Sequence, residues 1–214
     1  MPPSLRGNLQ SAVSHMIDLH CHMLPGIDDG ASSLDTALQM ARIAVEDGIR
    51  MTACTPHIYP GLFDNTGEQI KRHLQEFRQN LADAEIPLEV TYGADIQIVP
   101  EMVRGLRSGH MPTLHGGRYF LFEPPHHTVP TGFSRLIFDV LASGYVPVIT
   151  HPERLTWLDD EHYEWFVDAA RSGAWIQLTA GAVTGRFGRR PKYWSERFLD
   201  DGLVHILATD AHES

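Results

Sequence analysis

Two histidines with one residue between them, His20 and His22, end a short apolar stretch near the start of the sequence. If that stretch is a strand, both imidazoles project to one face, because side chains alternate between faces along a strand. Neutral imidazole nitrogen is a good ligand for divalent Zn, Mn or Fe. The pair therefore indicates a metal site, although a His-x-His pair is a weak signal until further ligands are found.

Further candidate ligands follow the first predicted strand and five others, so that six of seven strand ends carry His, Asp or Glu. These candidates are Asp29, His57, Asp95, Glu123, His151, Asp210 and His212. Each could be an ordinary cap, a buried histidine with a satisfied ring or a solvated carboxylate. Because the carboxyl ends of parallel strands meet on one face, where active sites form, their coincidence favours a shared metal site.

The size and composition of this ligand set indicate its chemistry. Nine candidates are too many for one ion and could hold two or three. Mixed His and carboxylate ligands without Cys suit Mn, Fe or Zn at a reactive site better than a structural zinc cluster. Clustered metals lower the pKa of a bridging water to make hydroxide and clamp the oxygens of a phosphoryl group during in-line attack.

The elements that must position these residues alternate between strands and helices. Ser32 or Ser33 is a predicted N-cap, and Thr66 with Gln69 three residues later forms a capping-box pattern. Strands separated by helices predict parallel βαβ units, and seven in succession favour a (β/α) barrel. A doubly wound sheet is the alternative, but the glycine-rich phosphate loops typical of such sheets are absent. The predicted strands are 16–20, about 50–54, 88–92, 119–122, 146–150, 175–178 and 204–208.

The length of 214 residues and the composition favour one domain over residues 16–214, with residues 1–15 as a flexible N-terminal leader. No apolar run approaches 18 residues, so no membrane span is predicted. The formal net charge of −10 argues against a general nucleic-acid binder. Cys21 and Cys54 form no disulfide framework, which favours reduced thiols and a cytoplasmic location. Neither has an arginine six residues later, so the C-x5-R signature of cysteine-dependent phosphatases is missing.

Seven motifs stand in order along the chain: His20-x-His22, Asp29-Gly30, Thr55-Pro56-His57, Gly93-Ala94-Asp95-Ile96, Glu123, His151-Pro152-Glu153-Arg154 and Asp210-Ala211-His212. In this order they resemble the PHP (polymerase and histidinol phosphatase) superfamily. Within it, the chain from Met16 onward is most similar to the manganese-dependent bacterial protein-tyrosine phosphatases encoded with capsule and exopolysaccharide genes. The combined set is specific, although His-x-His alone is not.

This resemblance implies an α/β fold, a distorted (β/α)7 TIM-like barrel (the PHP fold), with two or three divalent metals, manganese first and Fe or Zn as alternatives. The implied reaction is attack of metal-bound hydroxide on the phosphorus of a protein phosphotyrosine. The implied substrate is a bacterial tyrosine kinase that controls polysaccharide export. The implied ligand sets are His20, His22 and Asp210 with Asp95 bridging for one metal, Asp95, Glu123 and His151 for a second, and Asp29, His57 and His212 for a third.

Two departures from the family pattern affect these expectations. The family usually has Glu at the position of Asp95, and the shorter side chain should shift the bridge or weaken one metal. Family members also continue past the position of Ser214, with loop residues that include an arginine thought to bind phosphate and with a final helix. We therefore expect a truncated chain in which the flank of the first and last strands is apolar and uncovered, or covered by something else.

Arg154 is the predicted phosphate ligand, since a guanidinium matches phosphate oxygens bidentately, and with His57 and Asp210 it completes the predicted catalytic residues. The alternative for Arg154 is a surface ion pair with Glu153 or Asp159.

Three further features could contact the substrate. His126 and His127 could protonate the leaving phenolate or contact its ring, with a solvated loop as the alternative. The basic stretch 186–190, beginning at Arg186, could attract an acidic phosphopeptide, against an ordinary solvated loop. Tyr59 and Phe63 could wall an aromatic pocket or only pack.

The alternatives from other classes keep part of this site. A metal-dependent amidohydrolase also has His-x-His on the first barrel strand, but often bridges its metals with a modified lysine at a strand end. The only lysines, Lys71 and Lys192, stand in helix-like stretches. Histidinol phosphate or another small phosphomonoester is the alternative substrate within the superfamily. A purely structural PHP module is the non-enzymatic alternative, and it would predict eroded ligands.

Overall fold

The computed structural model describes residues 16–212, so the predicted leader over residues 1–15 lies outside the described residues. Within them, nine strands and seven α-helices follow one another. The strands are β1 (Met16–Cys21), β2 (Ile49–Cys54), β3 (His57–Ile58), β4 (Glu89–Tyr92), β5 (Asp95–Gln97), β6 (Tyr119–Glu123), β7 (Val146–Thr150), β8 (Trp175–Thr179) and β9 (Ile206–Ala208). The helices are α1 (Leu34–Glu46), α2 (Gly67–Asp83), α3 (Met102–Ser108), α4 (Phe133–Ala142), α5 (Asp160–Arg171), α6 (Ala180–Val183) and α7 (Arg189–Asp200).

The strands form two sheets in which every pairing is parallel. One sheet has the order β1-β2-β4 and the other the order β3-β5-β6-β7-β8-β9. The predicted α/β class with parallel strands is confirmed. A closed seven-stranded barrel is not shown, because across residues 16–212 β1 is joined to the segment after β9 by one isolated bridge, between Cys21 and Ala211.

The division into two sheets arises because two predicted strands, now β2 and β4, are each followed after a short break by an additional strand, β3 or β5. Pro56 lacks the N–H that a continuous ladder needs, and β3 starts directly after it. At Gly93 a Cβ atom would lie 2.6 Å from the Leu114 side chain, so a larger residue here would displace that side chain. The Asp95 N–H donates to the carbonyls of Thr55 and Pro56, at 3.3 and 3.2 Å. The breaks therefore carry His57 and Asp95 onto the second sheet, where they pair in register.

The helix starts follow ordinary capping chemistry. The hydroxyls of Ser33 and Thr66 accept from backbone N–H groups three residues later, each at 3.2 Å, which confirms both predicted N-caps. Asp159 caps α5 in the same way through the His162 N–H at 2.9 Å. The last long helix starts at Arg189, and the short helix α6 was not predicted because four residues are too few to show a period.

Aromatic rings fill the space between the second sheet and helices α4, α5 and α7. Phe133 packs on Phe122 and Phe166 with ring centroids 5.9 and 5.4 Å apart, and Phe198 packs on Phe166 and Tyr163 at 6.0 and 4.8 Å. All five rings are at most 2% exposed. These five residues, here called the aromatic core, hold the helices against the strands that carry the polar residues.

The flank formed by β1 and β9 remains open to solvent. Ile17 is 56% exposed and Leu207 52%, and Met16 is exposed as well. No helix among residues 16–212 has the length and apolar character needed to cross a membrane.

Candidate metal centre

Asp95 lies at the centre of the polar cluster, at the start of β5. Its Oδ2 atom is 3.4 Å from His20 Nε2, 3.5 Å from His151 Nε2 and 3.8 Å from His57 Nδ1. The side chain is fully buried, and its other oxygen accepts from the Thr150 hydroxyl at 3.3 Å. The aspartate, although one methylene shorter than the glutamate usual in the PHP pattern, thus reaches three histidines from three different strand ends.

Asp210 closes the cluster from the segment after β9. Its Oδ1 atom is 3.3 Å from His20 Nε2 and 3.5 Å from His22 Nε2. The backbone of Asp210 has φ +51° and that of His151 has φ +35°, a left-handed conformation that non-glycine residues rarely adopt. Two predicted ligands are therefore held in strained backbone, which is common at functional sites.

A third part of the cluster lies nearer to solvent. One oxygen of Asp29 is 3.5 Å from Nε2 of both His57 and His212, and the His212 ring stacks on His22 at 4.0 Å. Glu123 contributes Oε2 at 3.3 Å from His57 Nδ1. All nine predicted ligands thus converge in one cluster, to which His57 and Asp95 come from the starts of β3 and β5.

The donor atoms fit divalent metals. His57 Nδ1 and Asp95 Oδ2 are buried and have no hydrogen-bond partner among residues 16–212, which is costly unless another group satisfies them. The cluster contains five sets of residues, and within each set the possible ligand atoms all lie within 4.8 Å of one another. The sets are His22, Asp29, His57 and His212; His20, His22 and Asp95; His20, His151 and Asp210; Glu123, His126 and His151; and His57, Asp95 and Glu123.

The electrostatics of the cluster favour positive charge. Burial disfavours the charged form of His20, but the carboxylates of Asp210 and Asp95 outweigh it and raise the pKa of His20 to about 10. At His57, burial is likewise outweighed, first by Glu123, and the pKa rises to about 9. The carboxylates that favour protons on these rings would equally favour metal cations at the same nitrogens.

Comparisons with known proteins identify the family of this chain. Residues 16–214 match the family Capsular polysaccharide synthesis, CpsB/CapC. The chain belongs to this family. The tyrosine-protein phosphatase YwqE of Bacillus subtilis is 36% identical over 197 residues, which cover 92% of this chain and 77% of that protein. The tyrosine-protein phosphatase CpsB of Streptococcus pneumoniae is 29% identical over 208 residues, covering 92% and 83%.

The CpsB/CapC fold has also been solved. A crystal structure from the pair YwqE of Bacillus subtilis and CpsB of Streptococcus pneumoniae, described as unique metal-dependent tyrosine phosphatases, aligns with this chain at a TM-score of 0.86. It is 36% identical and covers 92% of this chain and 80% of that chain. The resemblance predicted from the motifs is confirmed.

In this CpsB/CapC chain, the predicted substrate residues have different surroundings. Arg154 pairs with Asp210, whereas its predicted alternative partner Glu153 is buried and accepts from the Thr179 N–H at 2.8 Å. Burial raises the pKa of Glu153 to about 7. His126 joins the cluster, with its ring 5.0 Å from His151.

The remaining predicted contacts lie at the edge of the site or away from it. His127 is exposed, with Nδ1 3.4 Å from the Thr156 hydroxyl. Arg186 is exposed, and within residues 16–212 its side chain makes no ion pair with the cluster. The Phe63 ring stacks on His57 at 5.8 Å, so it borders the site, and Tyr59 pairs with Phe63 through the backbone.

Two polar side chains that contact His20 and His22 were missed from the sequence. Asp28 Oδ2 accepts from His22 Nδ1 at 2.7 Å and from the His57 N–H at 3.0 Å. On β8, the one predicted strand without a ligand, Gln177 Oε1 is 2.9 Å from His20 Nδ1. Each bond directs the Nε2 atom of its histidine towards the carboxylates, as hydrogen-bond partners of metal-binding histidines commonly do. The pair Asp28-Asp29 was the only sequence signal, and nothing distinguished Gln177.

Proposed function

We propose that this chain is a metal-dependent protein-tyrosine phosphatase of capsular polysaccharide synthesis. The observation that carries the proposal is the convergence of nine His, Asp and Glu side chains in one cluster. Buried atoms of this cluster, such as His57 Nδ1 and Asp95 Oδ2, have no hydrogen-bond partner among residues 16–212. It is supported by relatives named as tyrosine-protein phosphatases and by a structural match described as metal-dependent. The strands are proposed to form the distorted seven-stranded barrel that the PHP resemblance implies.

Two or three divalent metals, manganese first and Fe or Zn as alternatives, are proposed at the cluster. When bound, such metals lower the pKa of water and offset the charge of a phosphoryl group. Asp95 would be shared between two of them, since its Oδ2 faces His20 and His151 together. The set of His22, Asp29, His57 and His212 would hold the more exposed one.

Arg154 is proposed to bind the phosphate oxygens of the substrate. Its guanidinium has five N–H donors, and the bond to Asp210 uses the Nη1 end, which leaves others to be directed at a ligand. The partner Asp210 is buried, so the arginine is held at the edge of the cluster. A planar guanidinium at this point would favour a dianionic phosphate, because it can donate two parallel hydrogen bonds to phosphate oxygens.

His126 is proposed to contact the substrate ring or to add a ligand nitrogen, and not to donate a proton. Burial, with a smaller effect of the neighbouring His151 and Arg154, lowers the pKa of His126 to about 3. A ring with that pKa is neutral at pH 7 and is a poor general acid. This changes the sequence-based expectation that His126 protonates the leaving phenolate.

The proposed partner is a phosphorylated bacterial tyrosine kinase, met in the cytoplasm, where Cys21 and Cys54 would stay reduced. Arg186, on the exposed loop beside the site, is proposed to attract its acidic phosphopeptide through long-range charge.

The test compares phosphate release from a phosphotyrosyl peptide and from histidinol phosphate. Each assay is run with Mn²⁺, after chelation, and with His151→Ala, and His110→Ala serves as the control because His110 is exposed and outside the cluster. We expect turnover of the peptide that needs metal and is lost in His151→Ala alone. Preference for histidinol phosphate would change the substrate, and metal binding without phosphate release from either would contradict the phosphatase.

A further inference from the structure

The guanidinium of Arg154 is held on two sides. On one side it pairs with Asp210. On the other side it lies over the ring of Phe187, with 4.7 Å between the guanidinium carbon and the ring centroid. The Arg154 side chain is 27% exposed, so it is neither fixed by full burial nor free in solvent. Phe187 belongs to the loop between α6 and α7, which contributes no ligand to the cluster.

The backbone that carries Arg154 is held by the same region of the chain. Arg190, in the first turn of α7, donates from Nη1 to the Leu155 carbonyl at 3.2 Å and from Nη2 to the Thr156 carbonyl at 3.2 Å. It also donates to the Leu158 carbonyl. One arginine thus binds three carbonyls of the segment that starts directly after Arg154, and this segment has no strand ladder of its own.

We propose that Phe187 and Arg190, together the Arg154 brace, are positioning residues that hold Arg154 ready for the phosphate of the substrate. The inference rests on the proposed function of Arg154. An unrestrained arginine loses much side-chain entropy when it binds a ligand, and stacking on a ring removes part of that loss in advance. Asp210 is a proposed metal ligand and is shared, whereas contact with the face of Phe187 leaves every N–H of Arg154 free to donate.

The position of Phe187 depends on a glycine. A Cβ atom at Gly181 would lie 2.9 Å from Cε2 and 3.3 Å from Cζ of the Phe187 ring. The backbone of Gly181 is compatible with alanine, because its φ is not in the left-handed region. The atom in the way is the end of a partly exposed side chain, so Gly181→Ala should displace the ring without unfolding the chain. It therefore perturbs Arg154 without changing any residue that contacts it.

The experiment measures kcat and KM for a phosphotyrosyl peptide and, by calorimetry, the Kd of inorganic phosphate, all with the Mn²⁺-loaded protein. The variants are Phe187→Ala, Phe187→Tyr, Gly181→Ala, Arg190→Lys and Arg154→Ala, with Phe138→Ala as the control because Phe138 is 63% exposed on α4. For Phe187→Ala and Gly181→Ala we expect KM and Kd to rise about fivefold while kcat changes less than about twofold. Phe187→Tyr should restore wild-type values, and Phe138→Ala should not differ from them.

The outcomes separate this inference from the proposed function. If the wild-type chain hydrolyses the peptide and Arg154→Ala weakens phosphate binding, but Phe187→Ala and Gly181→Ala do not, the brace is wrong and the phosphatase stands. If the peptide is not hydrolysed, the proposed function fails, yet the Kd of phosphate still tests the brace. A rise in KM that Phe187→Tyr does not restore would also contradict it, because a ring face is what the proposal requires. Arg190→Lys should raise Kd without loss of cooperative unfolding, since lysine cannot reach three carbonyls as the guanidinium fork does.

Discussion

The polar cluster and the aromatic core meet in one strand, β6, but follow opposite rules. In β6, Phe122 and Glu123 are neighbours, and both are buried. Phe122 packs against the ring of Phe133 in the aromatic core. Glu123 instead faces the polar cluster, which contains buried polar atoms without hydrogen-bond partners and residues with left-handed backbone. Because side chains alternate along a strand, one element can hold stabilising residues on one face and costly ones on the other.

This difference teaches where stability and activity should separate. Burying charged groups without complete pairing costs free energy, and burial of large rings offsets such costs. Changes in the cluster should therefore affect activity more than folding, and changes in the aromatic core should do the reverse.

The largest effect is expected for Asp95→Asn. Asp95 is central to the cluster, and loss of its charge removes the shared carboxylate from three histidines. We expect kcat/KM for a phosphotyrosyl peptide to fall at least about a thousandfold, the size typical of losing metal-based stabilisation worth several kcal/mol. Asp95→Glu is the matched control and should remain active. Comparable activity in Asp95→Asn and wild type would contradict the proposed role of Asp95 as a shared metal ligand.

The reverse effect is expected for Phe166→Ala in the aromatic core. Phe166 is fully buried and contacts Phe133 and Phe198. The substitution should lower the free energy of unfolding by about 4 kcal/mol, measured by urea denaturation. The activity of the molecules that remain folded should stay within about twofold of wild type. Phe138→Ala, exposed on α4, should change stability by less than about 0.5 kcal/mol. A large loss of activity per folded molecule would break the comparison between the two regions.

The two regions also differ in how far the sequence predicts them. Strand alternation and strand ends were enough to predict that His20, His22 and the other seven candidate ligands lie in one cluster, because these signals are local. The partners that orient the ligands are not local: His20 and Gln177 lie 157 positions apart, and only the fold brings them together. For the same reason the sequence did not show that Arg154 pairs with Asp210. The strand breaks before β3 and β5 were missed because fragments of two and three residues carry no period.

A smaller effect is expected for Asp28→Asn. The Asp28 side chain is 1% exposed, and its two oxygens accept from His22 Nδ1, the His57 N–H and the Gly30 N–H. In asparagine, one of the two oxygens is replaced by an NH₂ group, which cannot accept a hydrogen bond from these donors. The bond that orients His22 is therefore weakened or lost. We expect the affinity for Mn²⁺ to fall about tenfold to a hundredfold, measured by competition with a chromophoric chelator. Asp64→Asn, at an exposed turn, should leave the affinity unchanged. Equal affinities in the two variants would show that Asp28 only shapes the loop.

The smallest effect is expected at Gln177, where the direction of the change in Mn²⁺ affinity is the informative result. Gln177 is fully buried and offers His20 a neutral acceptor. Gln177→Leu removes that acceptor at similar volume, so the affinity for Mn²⁺ should fall about fivefold, the equivalent of one neutral hydrogen bond. Gln177→Glu keeps the acceptor and adds charge, which makes the ring of His20 a stronger ligand, so the affinity should rise. Both changes disturb packing to a similar degree, so a residue that only filled space would weaken binding in both variants. If the affinity for Mn²⁺ falls in Gln177→Leu and rises in Gln177→Glu, Gln177 supports metal binding through His20. If the affinity falls in both variants, Gln177 only fills buried space.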